Sequence, residues 1–129
     1  MKLRLFFSAC TLAFLITGCA SDNNAQEQLA LLAKTRASVI SSELPVEQGP
    51  LSIMRASAAG TTIEMMMIYN QDDANAIPLK QLLASSKQQF CVNKTLRENL
   101  DAGLSYRIKI RDTRGKLLID ESISKQQCL

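Results

Sequence analysis

The stretch LSYRIKIR, residues 104–111, alternates without a break. Leu104, Tyr106, Ile108 and Ile110 are apolar. Ser105, Arg107, Lys109 and Arg111 are polar or basic. Side chains of a strand point alternately to its two faces, so this period of two predicts a strand with one dry face and one wet, basic face. DTRG (112–115) reads as a turn, and KLLIDESIS (116–124) returns as the partner strand. The basic stripe has the chemistry to meet acidic partners or lipid headgroups; the reading favoured here is a solvated face that also discourages sheet stacking. The dry face needs a cover, and the rest of the chain must supply it.

Upstream, LSIMRAS (51–57) and TTIEMMMIY (61–69) flank Ala58, Ala59 and Gly60, a short loop with the glycine a hairpin requires. In the second run Ile63, Met65, Met67 and Tyr69 share one face. Met66 and Ile68 stand on the other, where polar residues are expected. They either pack under another element or await a partner; methionine more often fills gaps in a core. Residues 26–43 repeat Leu29, Leu32, Ala33, Ala37 and Ile40 at helical spacing, with Leu31 and Val39 widening the stripe, until Pro45 and EQGP (47–50) end it. NQDDANA (70–76) is a loop. Pro78 suits the first position of a helix whose apolar side is Leu79, Leu82, Leu83 and Phe90. Asn93 can cap a second short helix carrying Leu96 and Leu100, closed at Gly103. Helix, hairpin, two helices, hairpin: this order predicts an α+β fold, with a single antiparallel sheet of four to five strands and helices packed on one face.

The amino-terminal end has a different logic. Lys2 and Arg4 precede a run of about twelve apolar residues and then Leu15-Ile16-Thr17-Gly18-Cys19. That pattern is a secretory signal peptide, too short to be a membrane span of roughly twenty residues. Its last five residues resemble a bacterial lipobox, with Ile16 where leucine is commoner. The resemblance implies diacylglycerol on the Cys19 sulfur, cleavage between Gly18 and Cys19, and acylation of the new terminus. Ala20 and Ser21 lack the aspartate that marks inner-membrane retention in such proteins, which favours the outer membrane. The chain then divides into a signal (1–18), a lipidated flexible tether (19–25) and one domain (26–129).

Removing residues 1–18 from the 129 leaves 111, and the loss of Lys2 and Arg4 lowers the net charge from +3 to +1. No strong field remains to attract nucleic acid. With Cys10 in the signal and Cys19 lipidated, Cys91 and Cys128 are left, either as a disulfide or as two buried thiols; an oxidising compartment favours the bond. The sequence has no histidine, which removes the commonest general base and most metal sites. Asp72 and Asp73 read as solvated loop charges. No catalytic residue, metal or cofactor is expected.

LLAKTRASVISSELP (31–45), GTTIEM (60–65), QQFCVNKTL (88–96), GLSYRIKIRDTRG (103–115) and the late Cys128 together resemble the α/β class of type II secretion pilotins. The resemblance covers nearly all of the processed chain. It implies an outer-membrane lipoprotein, delivered by the lipoprotein sorting machinery, that binds the C-terminal segment of the secretin and helps that channel reach and assemble in the outer membrane. It also implies a sheet of about five strands, the fifth coming from residues near 45–50 or from a split of the last segment, and a disulfide. The apolar residues least used by the expected core, Leu31, Val39, Met66 and Ile68, are the candidate peptide-binding positions. The alternative is an envelope lipoprotein that inhibits a muramidase or protease; the helical stripe at 26–43 argues against it, because such inhibitors are nearly all β.

Overall fold

A computed structural model of the chain describes residues 20–129. Helix α1 (Ala20–Ser42) leads into a short strand β1 (Val46–Gln48), then β2 (Leu51–Ala59) and β3 (Thr62–Tyr69). Helices α2 (Leu79–Val92) and α3 (Lys94–Asp101) follow, then β4 (Ser105–Asp112), β5 (Leu117–Ile123) and a closing 3₁₀ turn (Lys125–Cys128). The strands form one sheet in the order β1-β2-β3-β4-β5. This is the expected α+β architecture, with the fifth strand supplied by residues 46–48.

Three of the four strand pairs are antiparallel, and β3–β4 is parallel. The two helices between β3 and β4 return the chain to its starting end, and a crossover of that length is what parallel pairing needs. The β2–β3 hairpin closes with Gly60 and Thr61, tighter than the three-residue loop expected, because β2 runs on to Ala59 opposite Thr62. Gly60 has φ +58°, which suits the first position of a two-residue hairpin turn. A bulge at Met54 switches the inward residues of β2 from Leu51 and Ile53 to Ala56 and Ala58. A second irregularity near Leu118 pairs Arg111 with Leu117 and Ile110 with Ile119.

The core lies between one face of the sheet and the helices. Ile63, Tyr106, Ile108, Ile110 and Ile123 have no exposed surface. Burial of an aliphatic side chain contributes roughly 1.5–3 kcal/mol, so this row carries much of the fold's cohesion. Ala33 and Ala37 let α1 lie close over β2 and β3. Gly103 is required by its φ of +104°, which an L side chain rarely adopts.

Polar groups inside are partnered. Asn99, 4% exposed, donates its Nδ2 to the Tyr106 hydroxyl at 2.7 Å. The Tyr69 hydroxyl accepts from Ile77 N (2.6 Å) and donates to Ile77 O (2.9 Å), which pins the 70–77 loop over the sheet end. Asn93 Oδ1 accepts from Leu96 N at 3.1 Å and so starts α3. Pro78 stands one place before the first helical residue of α2 as its N-cap, with ψ 143°, instead of inside the helix. Residues 20–25 form the first turns of α1 and not a coil. As helix they extend roughly 9 Å, against roughly 13 Å for a flexible chain. Among the described residues no helix is long and apolar enough to cross a membrane.

Candidate functional site: an apolar cleft beside α2

The helices do not cover the dry face completely. Between α2 and the β1–β2 edge lies an open cleft of about 340 Å³. Its floor is Leu51 and Ile53 of β2 with Met65 and Met67 of β3. Its far wall is Leu82 and Phe90 of α2, with Leu96 of α3 at one end. Gln48, Ser85, Ser86, Gln89 and Asn93 complete the lining, so no charged side chain borders it. The volume is in the range of ligand clefts, and an apolar floor with a few neutral hydrogen-bonding groups at the rim suits an apolar segment whose own backbone is already paired.

Helix α2 shows why the cleft is there. Leu82, Ser86 and Phe90 fall at steps of four on one face of the helix. Leu82 and Phe90 are buried, whereas Ser86 is partly open. A small hydroxyl in the middle of an apolar stripe leaves a notch where a leucine would have filled the space. Phe90 is fixed from behind by Tyr106, with ring centroids 4.7 Å apart and planes at 52°. The next residue, Cys91, is bonded to Cys128, with the Cα atoms 5.3 Å apart. The terminal turn is also held to α3 by Lys125–Asp101 (3.2 Å) and by Arg97 Nη1 donating to Cys128 O (3.4 Å). The carboxy-terminal end therefore braces the wall of the cleft. The hydrogen bond from Arg97, then that from Lys125, holds the Asp101 carboxyl below its ordinary range.

The four sequence-derived candidates are not brought together. Leu31 (65% exposed) and Val39 (56%) lie on the outer side of α1, pointing away from the sheet. Met66 and Ile68 are half-buried on the open face of the sheet, on the opposite side from the helices. None of the four lines the cleft. The cleft residues Leu51, Ile53, Leu82, Phe90 and Leu96 look like ordinary core in the sequence, and only the interrupted stripe at Ser86 marks them. Gly18 and Cys19 lie outside the described residues. Among the described residues no group of three or more cysteines, aspartates and glutamates is placed to hold a metal ion.

The open face is chemically different. Arg107 makes a two-pronged contact with Asp120, both arms at 2.8 Å, and reaches Glu64 at 3.5 Å. Lys109 meets the other Glu64 oxygen at 3.4 Å. The hydrogen bond from Arg107 holds Asp120 below the usual carboxylate range, and Asp120 raises Arg107 in return. These groups are open to water, so each pair contributes little to stability.

The neutral, apolar cleft of this small α+β domain has the form of a surface that binds an apolar segment. Residues 25–128 match the family of the type II secretion system (T2SS) pilotin, S protein, and the chain belongs to that family. The solved pilotin AspS of the Vibrio cholerae type II secretion system is 50% identical, with a TM-score of 0.79 over 84% of this chain and 100% of that one. Lipoprotein YghG of Escherichia coli (strain K12) is 31% identical over 114 residues, 88% of this chain and 82% of its own length. A pilotin–secretin complex from enterotoxigenic E. coli, AspS–GspD, contains a chain 28% identical with a TM-score of 0.51, covering 76% of this chain and 89% of that one. The inhibitor alternative finds no counterpart among these proteins.

Proposed function

We propose that this chain is an outer-membrane lipoprotein pilotin, anchored through acyl groups on Cys19 after cleavage behind Gly18. Its cleft takes the C-terminal segment of a type II secretin. The domain grips the client while the lipid, through the lipoprotein sorting machinery, supplies the destination, and together they bring the channel subunit to the outer membrane and promote its assembly there. Several acyl chains anchor far better than one, at about 0.8 kcal/mol for each buried methylene. The protein performs no catalysis in this role.

The observation that carries the reading is the uncharged apolar cleft between α2 and the sheet, in a member of a family with a relative solved bound to its secretin. A free secretin tail must be ordered on binding, which costs free energy, and contiguous apolar surface offsets that cost. An amphipathic helix laid in the cleft would present apolar side chains to Met65, Met67 and Phe90. Methionine side chains adapt to such a ligand better than branched ones. The test is affinity capture of the secretin by the domain starting at Ala20, compared with Ser86→Trp, which fills the notch. Wild type is expected to capture the secretin and Ser86→Trp to lose at least about tenfold in affinity with an unchanged melting temperature. Equal capture by both would remove the cleft from the account.

A further inference from the structure

We propose that the open face of the sheet rests on an anionic phospholipid surface. This face carries four cations, Arg55, Arg107, Lys109 and Arg111, against three carboxylates, Glu64, Asp120 and, on the edge strand β1, Glu47. Glu64 and Asp120 are engaged by Arg107 and Lys109, and Glu47 stands at the far edge of the sheet. Among the described residues Arg55 and Arg111 have no carboxylate within ion-pair distance; Arg111 donates only to the Gly115 carbonyl, at 2.8 Å. With Lys109, and with Glu64 that Lys109 and Arg107 hold, they border a depression of about 110 Å³. Guanidinium groups bind phosphate oxygens in pairs, so this depression suits a lipid phosphate. Arg114 and Lys116, in the adjoining turn, extend the basic surface along its edge.

Two further features favour a membrane over an acidic protein. The apolar side chains Met66 and Ile68 sit between the cations, and the exposed Leu117 lies beside Arg111. Apolar groups among basic ones match the headgroup boundary of a bilayer. The surplus is also local: a domain of net charge only +1 after processing has gathered its excess on the face opposite the cleft. Lying on that face, the domain would leave the cleft open to the periplasm and its client. Residues 22–28 are exposed, and as the first turns of α1 residues 20–28 span roughly 13 Å, the separation they set between an anchor at Cys19 and the body of the domain. The posture rests on the lipoprotein reading above, but the surface is testable without the anchor.

Residues 20–129 hold every described element, the core and the disulfide, so this domain is the material for flotation with vesicles of phosphatidylcholine alone or mixed with phosphatidylglycerol. Binding is expected to favour the anionic vesicles at least about tenfold at low salt and to fall as salt rises. Arg55→Glu with Arg111→Glu should lower it about tenfold, while Lys34→Glu with Lys80→Glu, on the helices, should leave it unchanged. No preference for phosphatidylglycerol, or equal loss in both double variants, overturns the proposal. Binding to a glutamate-rich peptide without any vesicle preference also overturns it, in favour of an acidic protein partner. Secretin-segment binding is measured on the same samples. If it holds while vesicles fail, only the membrane face falls; if vesicles bind while the secretin segment fails, the cleft reading falls and the membrane face stands.

Discussion

The two faces of one sheet follow opposite physical rules, and successive residues of β4 belong alternately to each. Tyr106, Ile108 and Ile110 are sealed under helices. Arg107, Lys109 and Arg111 line the water-facing side, where Arg107 and Lys109 trade ion pairs with Glu64 and Asp120. Stability is concentrated on the first face and charge on the second. The cleft is the place where the first face is left partly uncovered, so binding surface and core are made of the same residue types. A surface built this way gives affinity only where packing is missing, as it is beside Ser86.

The comparison breaks most visibly if neighbours on β4 behave alike. Ile108→Ala should cost about 2–5 kcal/mol, whereas Lys109→Ala should cost less than about 1 kcal/mol, both read from urea titrations. Next in size, replacing Cys91 and Cys128 together by serine should cost about 2–4 kcal/mol, since the bond links residues 37 apart in sequence. If the carboxy-terminal end braces α2, the double variant should also bind the secretin segment less tightly than its lost stability alone explains. Unchanged affinity would reduce the disulfide to a staple with no influence on the cleft.

A smaller effect sharpens the buried side. Tyr106→Phe leaves Asn99 Nδ2 buried without its partner, at about 1–3 kcal/mol. Burial raises the Tyr106 phenol above its ordinary value of 10.0. The unfolded chain therefore loses this proton first, and the associated stability is complete below pH 10 and declines as pH rises through the folded value. The phenylalanine variant should lose this part of the alkaline slope in melting experiments. The smallest effect lies on the open face. Arg107 holds Asp120 below its ordinary 3.8, so that contribution is present above about pH 4 and fades as pH falls through the folded value. Asp120→Asn should show a slightly flatter decline in melting temperature between pH 5 and pH 3 than wild type.

Much of this contrast is legible in the residues. The alternation of 104–111 and of 62–69 gives both faces of the two central strands, because a strand without bulges obeys a period of two. The Asn93 cap and the Gly103 stop are legible because each meets a local backbone need. Three things are not. The three residues of β1 are too short to show a pattern, and the bulge at Met54 shifts the inward set of β2 partway along. The parallel β3–β4 pair depends on where the crossover returns, which no single strand records. The cleft is hardest, since Leu51, Ile53 and Phe90 would be apolar whether covered or not. Counting surplus apolar residues found Leu31, Val39, Met66 and Ile68 exposed or half-exposed, but it could not tell that the sheet separates the first two from the last two.

The central claim is that a secretin's C-terminal segment lies in the cleft between α2 and the sheet. Site-specific photocrosslinking tests it most directly, with a photoreactive residue placed in turn at Gln89 on the cleft rim, Leu31 on the outer side of α1 and Ser57 on the open sheet face. The account predicts a crosslink to the secretin segment from Gln89 and none from the other two. Crosslinks from Leu31 or Ser57 with none from Gln89 would contradict it.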